Sequence, residues 1–209
     1  MKPEQFIRKG VVFGVGVNDV EGVSTNPKLT KVHGLWVDML ERCFSERRKS
    51  RGEAYQDVTC SDDWRVFSNF LKDISSIPNS HKIYEGWHMD KDLLGAGNKL
   101  YSKETVSFVP RQINNLLVVK FHKQSGLPQG VSKKKTRFIA QISIEGERTY
   151  IGSFGSIKQA YNAYKKAKEN YVKSVANKWK GQIDQRIYDY LMSYELPDHE
   201  SIYGGGDES

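Results

Sequence analysis

Residues 130–169 read GVSKKKTRFIAQISIEGERTYIGSFGSIKQAYNAYKKAKE, and this stretch decides the fold that we expect for the C-terminal half of the chain. Two runs in it, Arg137 to Ile144 and Arg148 to Phe154, alternate along the chain with the period of a β-strand. Glu145-Gly146-Glu147 separates them and signals a hairpin turn. Ser156-Ile157-Lys158-Gln159 then fits a capping box that opens a long helix. The stretch therefore predicts an antiparallel hairpin followed by a helix.

The alternation also assigns the two faces of the hairpin. Phe138, Ala140, Ile142 and Ile144 share the face that we expect to cover the helix, and the opposite, outer face is largely polar. Polar side chains on an exposed sheet can bind base edges and phosphates. The candidate nucleic-acid-binding residues are those of the outer face and of the lysine loop expected before it: Lys133, Lys134, Lys135, Arg137, Gln141, Arg148 and Tyr150.

The whole chain of 209 residues has a net charge of +7, and its basic residues are concentrated in this same C-terminal part. From Asn115 to Lys180 there are 14 lysines and arginines and three acidic residues, whereas the remainder has 18 basic and 22 acidic residues. A segment this basic is typical of proteins that bind polyanions, because phosphate neutralisation supplies most of their non-specific affinity. Nucleic acid is the expected partner, and a solvated lysine-rich surface is the alternative.

The stretch from Gly130 to Glu169 resembles the plant-named APETALA-two (ethylene-response-factor) DNA-binding domain, which also occurs in phage homing endonucleases. The resemblance rests on RFIAQI, on a Gly-x-Arg-x-Tyr-Ile-Gly-x-Phe strand and on a helix rich in alanine and tyrosine. It implies a three-stranded antiparallel sheet that packs on one helix and enters the major groove of double-stranded DNA. It places the family's DNA contacts on the loop lysines, Gln141, Arg148 and Tyr150. Ser143 stands where plant members usually have arginine.

The N-terminal half begins with helical patterns. Trp36, Met39, Leu40, Cys43 and Phe44 lie three and four residues apart and predict one apolar helical face. A second helix is signalled by Ser61-Asp62-Asp63, which we expect to cap it, and by five apolar residues at helical spacing. These five are Trp64, Phe67, Phe70, Leu71 and Ile74.

Residues 86–116 read GWHMDKDLLGAGNKLYSKETVSFVPRQINNL and carry a second resemblance, together with the preceding helices. From about His33 to Leu116 the chain resembles HNH-type proteins of tailed phages, whose pattern is LDKDxLxxGNKxYSPETCxFVPxxIN. The resemblance implies a ββα-metal finger that hydrolyses phosphodiesters with one Mg²⁺ or Mn²⁺ ion. In such a finger Asp90 and Asn114 fill the metal positions.

Lys91 stands at the position of the general base in this finger, and Thr105 replaces the usual central asparagine. A charged lysine binds phosphate and does not accept a proton. His88, two residues before Asp90, could substitute as the base. The candidate catalytic residues are therefore His88, Asp90 and Lys91, with cleavage expected to be weak or absent. The alternatives are an active Mg²⁺-dependent endonuclease, or an inactive regulator that binds a host or phage complex, including RNA.

The same motif can also be interpreted without any metal. Asp92 and Asn98 can satisfy turn amides, and Lys91 and Lys99 can contact backbone phosphate. The aromatic side chains of Tyr101 and Phe108 can fill a small core.

The whole chain is expected to have an α+β fold, with an HNH-like domain over 1–114 and its degenerate ββα finger at about 84–114. The basic APETALA-two-like domain covers 115–180, a C-terminal helix 181–195, and a mobile acidic tail 196–209. Two cysteines exclude a disulfide framework. The apolar runs are too short for a membrane span, so the protein is expected to be cytoplasmic, by resemblance in a phage-infected host cell.

Overall fold

The computed structural model describes residues 11–50, 56–95, 97–117, 126–199 and 201. The chain divides into two compact units, an N-terminal unit, Met1–Asn114, and a C-terminal unit, Asn115–Ser209. Both contain helices and small sheets, so the predicted α+β class is confirmed. Within the described residues no helix is long and apolar enough to cross a membrane.

The N-terminal unit is built from short strands around two helices that bury large aromatic side chains. Its strands and helices are β1 (Val11–Val12), β2 (Gly16–Val17), α1 (Pro27–Phe44), α2 (Glu46–Lys49), β3 (Thr59–Cys60), α3 (Phe67–Ser76), β4 (His88–Asp90), β5 (Leu100–Tyr101), β6 (Ser107–Val109) and α4 (Arg111–Asn114), with 3₁₀ turns at Asp62–Arg65 and Ser80–Glu85.

Helix α1 carries the core of this unit. Asn26 caps it by accepting a hydrogen bond from the backbone N–H of Lys28 at 3.0 Å, and Pro27 suits the first helical turn. Trp36 is fully buried, and its Nε1 donates to the carbonyl of Trp64 at 2.7 Å. The predicted apolar face of α1 is confirmed, because Met39, Leu40 and Cys43 are buried with Trp36.

The second predicted helix begins later than expected. Ser61 makes no capping hydrogen bond with its side chain, and the residues after it form a 3₁₀ turn; α3 starts at Phe67. A hydrogen-bond acceptor for the first turn of α3 comes from a distant residue, Asp19. Its carboxylate accepts from the N–H and the hydroxyl of Ser68 at 2.9 and 2.6 Å. The helix cap predicted at Ser61 is therefore wrong. The side chain that binds an N–H group in the first turn of α3 is Asp19, 49 positions before Ser68.

Within the described residues, the C-terminal unit contains an antiparallel sheet, a long helix and a shorter helix with defined bounds. Its elements are β7 (Val131–Lys134), β8 (Arg137–Ile144), β9 (Glu147–Phe154), α5 (Ile157–Lys178) and α6 (Gln185–Met192), and the strand order is β7-β8-β9.

The hairpin between β8 and β9 is closed by a two-residue turn. Ile144 pairs with Glu147, and the residues between them, Glu145 and Gly146, both have positive φ, at 51° and 93°. Two positive φ values are typical of a type I′ turn, whose twist matches that of the strands. The hairpin predicted at this position is confirmed.

One face of the sheet packs on α5. Ala140 and Ile142 are buried there against Ala160, Tyr161 and Tyr164. Burial raises the pKa of Tyr164 to about 12. The backbone of Gly130 packs directly against the Tyr164 ring of this core. Its φ is +79°, and an added Cβ would lie 2.0 Å from a ring carbon of Tyr164.

Helix α5 opens with a modified capping box. The Ser156 hydroxyl accepts from the N–H of Gln159 at 3.2 Å, and the Gln159 side chain accepts from the N–H of Gly155 instead of from that of Ser156. The cap is therefore where it was predicted, with its reciprocal bond shifted by one residue.

The residues that follow α6 pack against α5, where a mobile tail was predicted. Leu196 is buried, its N–H donates to Glu169 at 3.0 Å, and Asp198 pairs with Lys165 at 2.6 Å. The tail predicted to begin at residue 196 is thus wrong for its first residues, which are held by the core and by ion pairs. Residues 200 and 202–209 of that tail lie outside the described residues.

Candidate nucleic-acid interface

The sheet face that points away from α5 carries two adjacent polar pairs. Gln141 lies opposite Tyr150, and Ser143 lies opposite Arg148. Side chains paired across antiparallel strands share a face about 5 Å apart, so the four side chains form one patch. Arg148 is exposed, and Tyr150 is 64% exposed although it is a large aromatic residue. Together with two residues described below, this patch forms the outer sheet face, defined as Lys134, Arg137, Gln141, Ser143, Arg148 and Tyr150.

A register shift changes the alternation within this sheet. The pairs Ala140–Gly152 and Gln141–Tyr150 leave Ile151 as an extra residue on β9. Such a bulge increases the local twist and shifts the following residues to the other face. Ser153 therefore pairs with Ile139, which strict alternation along β9 does not indicate.

The three candidate lysines do not share one environment. Lys133 and Lys134 lie in β7 and not in a loop, and only Lys135 lies in the turn, with φ 55°. Lys134 pairs with Arg137 on the outer face, whereas Lys133 pairs with Phe138 and its Nζ lies 5.8 Å from that ring. The predicted loop of three equivalent lysines is wrong, because β7 extends the sheet and alternation sends Lys133 to the α5 side.

Arg137 is anchored to the neighbouring strand. Its Nη2 donates to the carbonyl of Ser153 at 2.8 Å and its Nε to the Ser153 hydroxyl at 3.3 Å. These bonds fix the position of the guanidinium at the edge of the outer sheet face. Arg137 thus combines a structural role with an exposed charge.

In the N-terminal unit, β4 and β6 pair so that Asp90 lies opposite Ser107. Asp90 is the last residue of β4 and caps the turn after it: its Oδ1 accepts from the N–H groups of Asp92 and Leu93 at 2.8 and 2.9 Å. Burial raises the pKa of the Asp90 carboxyl above its ordinary value, although these two hydrogen bonds oppose the rise. One oxygen of the expected metal ligand is therefore used by the fold.

Lys91 is buried, with 9% of its surface exposed. Its ammonium group donates to the Asp92 carboxylate and to the carbonyl of Asn98, the latter at 2.8 Å, and lies 5.8 Å from the Tyr101 ring. Lys91 thus holds the turn together from inside. This position is suited neither to accepting a proton nor to contacting phosphate.

Asn98 and Thr105 complete the same network. The Asn98 amide donates to the carbonyls of Lys91 and Leu100, and the Thr105 hydroxyl donates to the Leu100 carbonyl at 2.7 Å. Tyr101 and Phe108 are buried in the core of the unit. These bonds support the interpretation of the motif as a structural turn. We call Asp90, Lys91, Asp92, Asn98 and Thr105 the turn cluster.

The other two sequence candidates lie apart from the turn cluster's hydrogen bonds. His88 is exposed and lines a groove beside α1. Asn114 is the last residue of α4, and its N–H donates to the carbonyl of Pro110 at 3.1 Å. Over the part of the chain that the structure describes, no three His, Cys, Asp or Glu side chains are grouped so that they could hold a metal ion.

Comparisons of the chain with protein-family models, with curated proteins and with solved structures give no match.

Proposed function

We propose that this protein binds double-stranded DNA by inserting the outer sheet face into the major groove. The observation that carries the proposal is the pair of adjacent cross-strand contacts, Gln141–Tyr150 and Ser143–Arg148, on the exposed face of the sheet. Arginine and glutamine side chains can each make two hydrogen bonds to one base edge, to guanine and adenine respectively. Such a patch can read sequence as well as bind phosphate.

The dimensions of the sheet support this mode of binding. The two polar pairs lie on β8 and β9, which are neighbouring strands with backbones about 4.8 Å apart. The major groove of B-DNA is about 12 Å wide and admits a two-stranded β-ribbon such as this hairpin. A sheet whose other face is covered by α5 presents only its outer face to such a groove.

Charge supports the same partner. The C-terminal unit holds the segment with 14 basic and three acidic residues, and Lys134 and Arg137 stand at one edge of the outer sheet face. Phosphate contacts of this kind position a protein on the duplex, while base contacts specify the site. The resemblance to the APETALA-two domain favours the same arrangement.

We also propose that the N-terminal unit is related to HNH endonucleases and cleaves DNA weakly or not at all. Asp90 and Asn114 are the residues that would hold Mg²⁺ or Mn²⁺. The fit is poor, because Oδ1 of Asp90 already accepts from the N–H groups of Asp92 and Leu93, and the described residues group no three His, Cys, Asp or Glu side chains that could hold a metal ion.

The binding proposal is tested with duplexes selected from a random pool by the wild-type chain. Arg148→Ala is expected to reduce the preference for the selected site by about 1 to 3 kcal/mol, whereas Lys134→Ala is expected to weaken all duplexes similarly. The matched control is Arg186→Ala, because Arg186 lies on α6 and pairs with Asp184 at 2.7 Å. If Arg148→Ala kept the wild-type preference for the selected site, the outer sheet face would not be the surface that recognises sequence. Tighter binding to RNA than to DNA would favour an RNA partner.

Cleavage is tested on supercoiled DNA with Mg²⁺ or Mn²⁺, using the wild type, His88→Ala and Asp90→Ala. We expect binding without nicking, because loss of a general base typically lowers the rate by about 10² to 10⁴. Nicking by the wild type that is lost in both variants would establish the alternative, an active endonuclease with His88 as the base.

A further inference from the structure

Helix α5 has an exposed polar face in addition to the face that packs on the sheet. Residues four, eight and eleven positions apart lie on the same side of a helix. In α5 this spacing is occupied by four residues that we call the α5 stripe: Asn162, Lys166, Asn170 and Lys173. The first three are exposed, and Lys173 is partly exposed. Within the described residues, the side chains of these four make no hydrogen bond or ion pair, so the stripe is available to a partner.

The α5 stripe points away from the sheet. Ala160, Tyr161 and Tyr164 pack against the sheet on the other side of the helix. At about 100° per residue, the centre of the α5 stripe lies about 170° around the helix axis from these three residues. A helix with its side chains is about 10 to 12 Å thick. A duplex on the outer sheet face is therefore separated from the α5 stripe by the sheet and by the whole helix.

The charge of α5 is strongly positive. The helix contains six lysines and one acidic residue, Glu169. Glu169 accepts from the N–H of Leu196 at 3.0 Å and lies 3.9 Å from the Lys165 ammonium, so its carboxylate is used at the side of the stripe. A solvated helix face usually alternates the two signs of charge. The α5 stripe has cations alone, and this charge is complementary to a polyanion.

The asparagines of the α5 stripe indicate which polyanion it fits. Asparagine is a poor helix former, because its side chain competes with the backbone for hydrogen bonds. Asn162 and Asn170 nevertheless stand about 12 Å apart on the exposed face of this helix. In protein–DNA interfaces asparagine amides bind base edges, sugars and phosphates, and lysines bind phosphates. The major groove admits an α-helix, so alternating amides and ammonium groups on an exposed helix face suit duplex DNA.

We propose that the α5 stripe binds a second segment of double-stranded DNA, so that one C-terminal unit joins two duplexes. Lys166 and Lys173 bind phosphates of this segment, and Asn162 and Asn170 bind the groove between them. The joining of two duplexes rests on the proposed duplex binding by the outer sheet face. The contact between the α5 stripe and DNA does not depend on it.

The test counts the duplexes that one chain holds. The full chain is attached at low density to beads through its first residue, which prevents two copies from acting together. It is then incubated with the selected duplex in one colour and an unrelated duplex in a second colour, at about 0.1 M salt. We expect the wild type to hold both colours on each chain.

Lys166→Gln/Lys173→Gln is expected to lower retention of the unrelated duplex by about tenfold or more. Each lost phosphate contact reduces the slope of log affinity against log salt by about 0.9, so the two should reduce it by about 1.8. Asn170→Asp, which places a negative charge on the stripe without changing its shape, should also lower this retention by about tenfold. Retention of the selected duplex should stay within about twofold of the wild type.

The matched control removes the same charge from the N-terminal unit. Lys28 and Lys72 are exposed on α1 and α3. Lys28→Gln/Lys72→Gln should hold both colours as the wild type does. Circular dichroism spectra that match the wild type show that each variant is folded.

Three results would overturn the proposal. These are a wild type that holds only one duplex per chain, retention of the unrelated duplex that is the same in Lys166→Gln/Lys173→Gln, and displacement of this duplex by RNA of equal length at a lower concentration than by DNA.

A variant of the outer sheet face distinguishes failure of the two proposals. Lys134→Ala/Arg148→Ala should lose the selected duplex and keep the unrelated one. If this variant kept both duplexes while Lys166→Gln/Lys173→Gln lost both, the α5 stripe would bind DNA and the outer sheet face would not. That result would refute the proposed role of the sheet and support the DNA contact of the α5 stripe.

Discussion

The turn cluster of the N-terminal unit and the outer sheet face of the C-terminal unit are both rich in polar residues, but their side chains are used differently. In the turn cluster, Asp90 accepts from two amides and the Lys91 ammonium binds two oxygens inside the turn. On the outer sheet face, Arg148 and Tyr150 are exposed. A polar motif thus indicates a binding site only where its hydrogen-bonding groups remain accessible, and the comparison favours the sheet.

The largest effect that separates the two regions is expected from Gly130→Ala. The new Cβ would lie 2.0 Å from the Tyr164 ring, at a backbone φ of +79° that non-glycine residues adopt only with strain. We expect a loss of about 3 kcal/mol or more in the stability of the C-terminal unit, with loss of duplex binding. Urea denaturation followed by near-UV circular dichroism measures this. Duplex binding that survives complete unfolding of the sheet would place the DNA contacts in the N-terminal unit.

A smaller effect is expected in the N-terminal unit from Asp90→Ala. This substitution removes the acceptor of the Asp92 and Leu93 amides, and Leu93 is buried. Leaving one buried donor unsatisfied, as the Leu93 N–H would be, costs about 1 to 3 kcal/mol. The stability of the N-terminal unit should fall by that amount while duplex binding stays unchanged. A weakening of duplex binding equal to that caused by Arg148→Ala would contradict the division of roles.

Asp90→Asn tests the electrostatic part of the same contact. Asparagine keeps an oxygen for both amides and removes a half-buried charge, so the stability at neutral pH should be at least that of the wild type. Burial raises the pKa of Asp90 in the folded state, so the folded protein holds this proton more tightly than the unfolded chain. Wild-type stability therefore falls, relative to Asp90→Asn, as the pH rises through the folded-state pKa. The stability difference between Asp90→Asn and the wild type should therefore narrow as the pH is lowered through the folded-state pKa of Asp90. A difference that widens would contradict the raised pKa.

Local signals in the sequence predicted the elements whose stabilising contacts are also local. The β8–β9 hairpin is determined by Glu145 and Gly146, which take the two positive φ values of its turn. The cap of α5 follows from Ser156 and its N–H partner three residues on. In both cases the residues that fix the conformation lie within a few positions of each other, so the local sequence pattern is enough to predict the turn and the helix cap.

The errors arose where the deciding contact comes from a distant part of the chain. Asp19 caps α3 from 49 residues away, which no local pattern around Ser61 reveals. Lys133 and Lys134 separate onto two faces only because β7 pairs with β8. Lys91 becomes a buried internal cation because the chain returns at Asn98. The groove beside α1 was not predicted, because its two walls, one stripe of α1 and the residues around the start of β4, meet only in the folded unit.

The smallest effect, and the one of opposite sign, is expected from Gly34→Ala. Gly34 lies within α1, is exposed, and has open space where a Cβ would be added. Because glycine loses more backbone freedom on folding than alanine does, replacing it in a helix stabilises a protein by about 0.5 to 1 kcal/mol. The midpoint of urea unfolding of the N-terminal unit should therefore rise with an unchanged m-value. The same glycine-to-alanine change would then destabilise the C-terminal unit at Gly130 and stabilise the N-terminal unit at Gly34. A destabilising result at Gly34 would mean that a side chain meets an obstacle there, and it would contradict the open space found beside this position of α1.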